Sequence, residues 1–386
     1  MADKKVRMGM VGGGKDAFIG AVHRIAANMD GQIELCCGAF SSNAEKAKES
    51  GRALFLNEDR NYGSYAEMFD SESKLPEDQR MQFVSIVTPN FAHFEPAMLA
   101  LDSGFHVLID KPMTLTLEEA RKLHEKAEET GLMVCLTHTY SGYPMVKQAR
   151  QMVKNGDFGQ IRKIMVEYPQ GWLSQSSEND GNKQAAWRTD PSKSGISGCM
   201  GDIGTHAAQL AEYISNLKIS HLCADLNIVV GGRALDDDGN ILLKFDNGAN
   251  GVLVASQIAA GEENALTIKV YGEKGGLEWH QEEPNTLKVK WLNAPAQLYR
   301  TGHDYLSSFA KHNTRTPSGH PEGYLEAFAN IYRNFISTIR MVSNGETPSA
   351  EMLDFPTAED GVRGMAFIEN VVASGKSDQK WYEFKT

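Results

Sequence analysis

The chain has 386 residues, of which 41% are hydrophobic and 23% charged, and its formal net charge is −11. Such a composition belongs to a soluble globular protein long enough for two domains. The acidic balance argues against a nucleic-acid footprint but leaves room for a local pocket that holds an anionic cofactor.

Five cysteines without CxxC spacing fit neither a secreted disulfide framework nor a common zinc site, so structural thiols and no metal are expected. No signal peptide is read before Val6 and no apolar run reaches membrane-spanning length, which gives the expectation of a cytoplasmic protein with no membrane partner.

Lys5 to Val11 reads as a strand that runs directly into Gly12-Gly13-Gly14, with a helix from near Phe18 to Ala27. A glycine-rich turn between strand and helix suits a dinucleotide. Gly12 permits the tight turn, Gly14 lets a pyrophosphate approach the backbone, and the helix N-terminus offers free N–H groups. The third position of the motif falls on Ala17, or on Gly20 if the loop is longer; Ala17, Phe18 and Ile19 join the cofactor-binding candidates. The second strand, Ile33 to Ala39, leads into Phe40-Ser41-Ser42-Asn43. It lacks both the acid that holds ribose hydroxyls and an arginine for a 2′-phosphate. Ser41 or Ser42 could bind either group, so NAD is expected and NADP is left open.

Helices are expected over Asn43 to Ser50 and Tyr65 to Phe69, followed by a polar surface loop from Ser71 to Arg80. Phe83 to Val87 is a buried strand. Thr88-Pro89-Asn90 follows it, and a helix opens at Phe91-Ala92-His93 and continues to Ser103. Ligands bind at the carboxyl ends of parallel strands, which makes Thr88, Pro89, Asn90 and His93 cofactor candidates; His93 reads equally well as a helix-start histidine. A fourth strand, Phe105 to Ile109, ends in Asp110-Lys111-Pro112, and a helix over Leu117 to Thr130 and a strand over Leu132 to Leu136 complete an alternating α/β pattern with a parallel sheet. Lys111, directly beyond a buried strand, can reach a substrate that faces the nicotinamide, the plain alternative being a solvated lysine. Asp110 beside it is a further cofactor candidate.

The pattern changes after Leu136. His138 and Tyr140 precede a helix over Met145 to Asn155 and a strand over Ile161 to Tyr168, and residues 169–194 read as a loop that could cover a pocket. In that loop Trp172 and Trp187 could stack on a ring face and Arg188 could bind hydroxyls or a carboxylate, or all three could pack the loop itself. Gly195-Ile-Ser-Gly-Cys-Met-Gly-Asp-Ile-Gly-Thr-His206 then sets Asp202 and His206 four residues apart, ahead of an amphipathic run from Ala207 to Ile219. On one helix face, an acid and an imidazole suit proton transfer. The plainer alternative is an N-cap and an ordinary histidine. Cys199, close by, is expected to shape the pocket.

Six strands follow, Leu222 to Val230, Ile241 to Phe245, Val252 to Ile258, Leu266 to Tyr271, Gly276 to Trp279 and Thr286 to Trp291. Their short Gly- and Asn-rich connections imply a largely antiparallel sheet with one face on helices and the other open to a partner chain. Helices are expected over Glu322 to Ile339 and Ala358 to Ala373. His303, His312 and His320 have no metal-ligand spacing, but His320, in Gly319-His-Pro-Glu322, is a candidate substrate contact.

Taken together, VGGG, the TPN loop, a DKP form of the EKP motif and GDIGTH, in this order over nearly the whole length, resemble the Gfo/Idh/MocA oxidoreductase family; His23 also matches the histidine usual after the glycine loop. The resemblance implies an N-terminal Rossmann domain (1–137) and a C-terminal α/β domain (138–386) on a large, mostly antiparallel open sheet. That second domain binds substrate and commonly makes a homodimer or homotetramer. It also implies Lys111, Asp202 and His206 as the catalytic, substrate-orienting trio, and a sugar or cyclic polyol such as inositol as substrate. The candidate substrate contacts are then Lys111, His138, Tyr140, Trp172, Trp187, Arg188, Asp202, His206 and His320. The expected reaction is hydride transfer between a ring secondary alcohol and NAD(P). Reduction of a keto-sugar, NAD-dependent glycoside cleavage and a non-catalytic nucleotide sensor are the rival readings.

Overall fold

A computed structural model describes residues 4–15 and 17–386. Two compact units emerge, Met1–His138 with Phe328–Val362, and Thr139–Ala327 with Arg363–Thr386. The sequence pattern anticipated one crossing near residue 137; the chain instead returns to the first unit before it ends in the second.

The first unit begins with β1 (Val6–Gly12), α1 (Phe18–Asn28), β2 (Ile33–Ala39), α2 (Ala44–Ala53) and α3 (Tyr65–Ser73). It continues with β3 (Phe83–Val87), α4 (Phe94–Asp102), β4 (His106–Ile109), α5 (Leu117–Thr130) and β5 (Val134–Leu136). The five strands pair in parallel in the order β2-β1-β3-β4-β5. All five residues of β3 are buried, as expected of a central strand covered on both faces. The strand order reverses direction at β1, so the crevice for a ligand opens at the carboxyl ends of β1 and β3. Helix α5 starts where its sequence says it should, with Thr116 and Glu119 forming a capping box, and stops at Gly131 in a left-handed conformation (φ 66°).

The returning segment fills one side of this unit. Phe335 packs edge-on to Phe83 with centroids 5.6 Å apart, and the Leu136 N–H donates to the Pro356 carbonyl at 2.9 Å. One expected loop is a helix at its start: α3 runs on to Ser73, because Glu72 is wholly buried and bound by Arg60, Tyr62 and the Met81 N–H. A polar residue with three donors reads as surface in a sequence but sits in the core.

The second unit contains α6 (Pro144–Lys154), β6 (Ile161–Pro169), α7 (Lys183–Arg188), α8 (Pro191–Ser194), α9 (Thr205–Ser215), β7 (Ile219–Asn227) and β8 (Asp238–Phe245). Then come β9 (Asn250–Ser256), β10 (Thr267–Gly272), β11 (Gly275–His280), β12 (Thr286–Trp291), β13 (Gln297–Arg300) and α10 (Ser308–His312). Helix α11 (Tyr324–Ser343) belongs to the first unit from Phe328 onward, and α12 (Ala358–Gly375) and β14 (Tyr382–Glu383) end the chain. The nine-stranded sheet has the order β13-β12-β11-β10-β6-β9-β8-β7-β14, and only β6 and β9 run parallel. Its inner face carries Ile164, Val166, Leu243, Leu253, Ile268 and Trp279 onto α6 and α9. The edge strand β13 escaped the sequence pattern because it shows no alternation; Leu298 on it is exposed.

His106 gives the fold a measurable pH response. Its Nδ1 accepts the Met133 N–H at 3.0 Å, and burial pushes its pKa down to about 4. The unfolded chain therefore binds more protons than the folded one between about pH 6.5 and 4, and stability falls as pH falls through this window. His106→Asn, which keeps an acceptor but cannot ionise, should flatten the acid limb of urea-unfolding stability by up to about 3 kcal/mol. An unchanged limb would show that the ring titrates normally.

Candidate active site

In the first unit the glycine loop is built for a close ligand. Gly12 and Gly13 take φ of 77° and 66°. A Cβ on Gly14 would lie 2.9 Å from both the Phe40 carbonyl and Ser50 Oγ. Gly20, rather than Ala17, packs helix against loop: a Cβ there would strike the backbone of Gly13, while Ala17 is the N-cap residue of α1. Phe18 is exposed at the helix N-terminus, and Ile19 packs on the Met10–Phe40–Val87 cluster under the loop. This glycine cradle and helix start fit a dinucleotide's pyrophosphate. At the end of β2, Ser41 is half-buried with its Oγ accepting the Asn43 N–H at 3.2 Å, and Ser42 is exposed.

The carboxyl ends of β3, β4 and β5 gather the other candidates of this unit. Thr88 Oγ1 donates to the Ala92 carbonyl at 2.8 Å, and Asn90, after Pro89, is buried in a short turn that precedes α4. His93 is the N-cap residue of α4 and is fully buried; its two ring nitrogens lie 2.8 Å from the carbonyls of Pro112 and Thr88. Burial lowers its pKa, partly offset by Asp110 and these carbonyls. The neutral ring thus has one N–H to share between two loops. Asp110 Oδ1 accepts from Thr137 Oγ1 at 2.6 Å and from the Lys111 N–H at 2.9 Å. Burial works to raise the Asp110 pKa, but His23, Thr137 and the charge of Lys111 outweigh it and hold the carboxyl below the usual range. His23 stands 3.9 Å from Asp110 Oδ2, too far for a direct hydrogen bond, and its other nitrogen contacts the Tyr332 hydroxyl at 2.7 Å. Burial, then the positive charge of Lys111, pushes His138 down to about 3, so this histidine is neutral at physiological pH. Both shifts record the same fact: the Lys111 ammonium belongs electrostatically to the Asp110–His138 group.

In the second unit the GDIGTH stretch is a wide π-helical turn, Met200–Gly204, whose closing bond runs from the Thr205 N–H to the Met200 carbonyl. Such turns recur at functional sites because they re-aim side chains relative to the α-helical spacing. The α-helix after it starts at Thr205 and ends at Ser215, short of the expected Ile219, because Asn216 adopts φ 56° and caps it. Asp236 anchors the turn. Its carboxylate accepts the Gly198 and Met200 N–H groups at 2.9 Å each, and its carbonyl accepts the Cys199 N–H at 2.8 Å. Gly198 is required there, since a Cβ would strike the Asp236 carbonyl. Cys199 faces the core; burial, then Asp236, raises its thiol pKa far above normal, which leaves it inert.

Asp202 is partly exposed and not an N-cap. Its Oδ2 accepts from Arg188 Nε at 3.0 Å and from Gln257 Nε2 at 2.9 Å. Arg188 also lies over the Trp187 ring at 4.2 Å and the Trp172 ring at 5.7 Å, so both tryptophans and the arginine of the 169–194 segment come together beside Asp202. His206 packs edge-to-face on Tyr140 with centroids 4.9 Å apart. Asn264 Nδ2 donates to the Tyr140 hydroxyl at 3.2 Å, and the Tyr168 hydroxyl donates to Asn264 Oδ1 at 2.7 Å. The remaining contact therefore runs from the Tyr140 O–H to the Tyr168 oxygen, closing a ring of donors behind the imidazole. His320 is exposed on a turn, its carbonyl accepting from Thr316 Oγ1.

Gln257, Tyr168 and Asn264 touch the candidate residues and escaped sequence reasoning. Gln257 was read inside the strand Val252 to Ile258, where a lone polar residue in an apolar run was the available signal; it is buried one position past the end of β9.

Residues 6–138 match the model of the oxidoreductase family with an NAD-binding Rossmann fold, and residues 146–278 match the Gfo/Idh/MocA C-terminal domain. A Bacillus subtilis protein described as an uncharacterized oxidoreductase is 34% identical over 99% of this chain and 98% of its own. The chain belongs to the Gfo/Idh/MocA oxidoreductase family. An oxidoreductase structure from Sinorhizobium meliloti is 44% identical, covers 98% of this chain and 99% of its own, and superposes with a TM-score of 0.87. An inositol dehydrogenase homologue from Azotobacter vinelandii, complexed with NADH and myo-inositol, is 33% identical over 99% of this chain and 98% of its own, with a TM-score of 0.90. As a Gfo/Idh/MocA member this protein is an NAD(P)-dependent oxidoreductase.

Two substitutions test the site's construction. Gly20→Ala should push α1 from the glycine loop and weaken NAD binding in calorimetry by about tenfold, the scale of 1.4 kcal/mol; equal affinity would mean the contact is dispensable. Gln257→Leu removes a buried donor from a carboxylate and should lower kcat/KM by about ten- to a hundredfold, with thermal stability nearly kept. Wild-type kinetics would remove Gln257 from the site.

Proposed function

We propose that this oxidoreductase oxidises a secondary ring alcohol of a sugar or a cyclic polyol, inositol being the leading candidate, with NAD as the preferred cofactor. The observation that carries the reading is the Asp202–His206 turn, braced by Arg188, Gln257 and Asp236 and backed by Tyr140. The full-length likeness to an inositol dehydrogenase homologue solved with myo-inositol supports it. NAD(P)+ supplies the hydride acceptor when bound. Candidate contacts to it are Gly12, Gly14, Ala17, Phe18, Ile19, Ser41, Ser42, Thr88, Pro89, Asn90, His93, Asp110 and Lys111.

His206 takes the hydroxyl proton as general base. Lys111 stabilises the developing alkoxide by its charge, and Asp202 orients a neighbouring substrate hydroxyl. Trp172, Trp187 and Arg188 are proposed to line the sugar face with His138 and Tyr140, with His320 as a further contact. A polyol offers several hydroxyls at fixed angles, and the acid, amide and guanidinium around Asp202 are the donor and acceptor types that discriminate them. The first unit is assigned to the cofactor and the second to substrate and self-association.

No helix among the described residues is long and apolar enough to cross a membrane. The five free thiols favour the proposed reducing, cytoplasmic setting, and the net charge of −11 speaks against a nucleic-acid partner. A homodimer or homotetramer through the large sheet is proposed on its outer row, where Cys223, Leu242, Val252 and Met165 face each other in register and none is buried.

A panel of inositols, aldoses and sugar acids, followed at the nicotinamide absorbance with NAD+ and with NADP+, tests the proposal. Turnover of a cyclic polyol or aldose with NAD+ is expected. His206→Ala should cut kcat by about 10²- to 10⁴-fold, the usual weight of a general base, with NAD affinity unchanged. Cofactor binding without turnover across the panel would return the protein to the nucleotide-sensor reading, and an undiminished kcat in the variant would remove His206 from the chemistry.

A further inference from the structure

Strand β2 holds two adjacent cysteines, and adjacent residues in a strand ordinarily point to opposite faces. Here they do not. The pairing of β1 with β2 shifts between Met8↔Leu35 and Gly9↔Cys37, so Cys36 is the extra residue of a β-bulge. The bulge brings the two thiols together, with Sγ atoms 3.9 Å apart. Met81 Sδ lies 3.6 Å from Cys37 Sγ, so three sulfurs converge. Gly9 makes the space: a Cβ on it would collide with Met81 Sδ and lie 3.1 Å from Cys37 Sγ. Arg60 Nη2 stands 3.2 Å from Cys36 Sγ, and the same guanidinium is paired with the buried Glu72, whose carboxylate also lies within 4.8 Å of both thiols.

We propose that Cys36, Cys37 and Met81 form a binding site for a soft monovalent cation of the copper(I) type. Thiolates and a thioether are the ligands that select such an ion over hard divalent cations. Two metal–sulfur bonds of about 2.3 Å spanning the 3.9 Å gap would enclose ~115°, close to a trigonal angle, and Met81 Sδ, 3.6 Å from Cys37 Sγ, offers a third sulfur. Binding displaces both thiol protons and changes no oxidation state: one cation and two thiols give a dithiolate complex of charge −1 and two released protons. Arg60 is placed to face that negative charge. Without the ion, burial first, then Cys36 and Glu72, raise the Cys37 pKa far above normal. Because β2 is an edge strand of its sheet, entry requires local opening at one edge rather than unfolding of the centre.

The site is independent of the catalytic reading. The test is an anaerobic titration of the reduced, full-length protein with copper(I) buffered by a chromophoric chelator. Wild type should withdraw one equivalent and the Cys36→Ser/Cys37→Ser double variant none. Met81→Leu, which preserves volume, should weaken the site by about tenfold or more, a scale that even an outer-shell partner commands. Copper X-ray absorption on the loaded wild type should show a three-sulfur shell near 2.3 Å. Failure of wild type to compete, full competition by the double-serine variant, or a nitrogen–oxygen shell would each overturn the proposal. The absorption measurement stands even if the serine variant fails to fold.

Discussion

The carboxylate of Asp110 takes the Thr137 hydroxyl and the Lys111 N–H on one oxygen and faces His23 of α1 with the other. It therefore ties the end of β4 to the start of the segment after β5 and to the helix that carries the glycine loop. His93 adds the loop after β3, through the Thr88 and Pro112 carbonyls. The effect is an electrostatic frame: Asp110 is a fixed anion, His138 a neutral ring, and the Lys111 charge acts on both. Because these groups sit at the carboxyl ends of adjacent parallel strands, the sheet itself sets their spacing.

The second unit solves a related problem with backbone donors. A π turn leaves its first N–H groups without partners in the turn, and the Asp236 carboxylate takes that of Met200 together with that of Gly198 just ahead of it. The turn is then stiff enough to present Asp202 to Arg188 and Gln257. Arg188 is in turn oriented by Gln184 and by the Trp187 face, so the short helix α7 positions Asp202 from outside. A substrate hydroxyl that binds Asp202 has to join or replace donors already in place. Selectivity among polyols would then depend on the amide and guanidinium as much as on the acid itself.

What the sequence reveals and what it hides divide along physical lines. Strands such as Phe83–Val87 and the capped helix Leu117–Thr130 are written in local pattern, and the parallel order follows from their alternation. The glycine loop, Lys111 and the Asp202–His206 pair were visible because their spacing is local too. Hidden were contacts that join distant parts of the chain. Gln257 reaches Asp202 across 55 positions, Asn264 reaches Tyr140 across 124, and Tyr332 reaches His23 across 309. The π turn was hidden for a different reason: its glycines permit many backbone paths, and Asp236, which selects one, lies in a later loop. The bulge at Cys36 leaves no mark in an apolar run, since either side-chain direction there is buried.

Asp110 and Asp236 together show why direction matters more than burial alone. Burial pushes both carboxyls toward the neutral acid. Around Asp110 a histidine, then a hydroxyl and a lysine charge, reverse that push. Around Asp236 the donors are two backbone N–H groups and the Ser197 hydroxyl, and burial prevails, so its pKa is raised. Uncharged dipoles thus hold the turn in shape without reversing the upward push of burial. A site that must present a standing negative pole needs ionisable partners close at hand, which Asp110 has in His23 first and then in Lys111. Asp236, whose neighbours supply none of that kind, is suited to architecture, and the contrast places the electrostatic centre of the first unit on Asp110 rather than on the glycine loop that first drew attention to it.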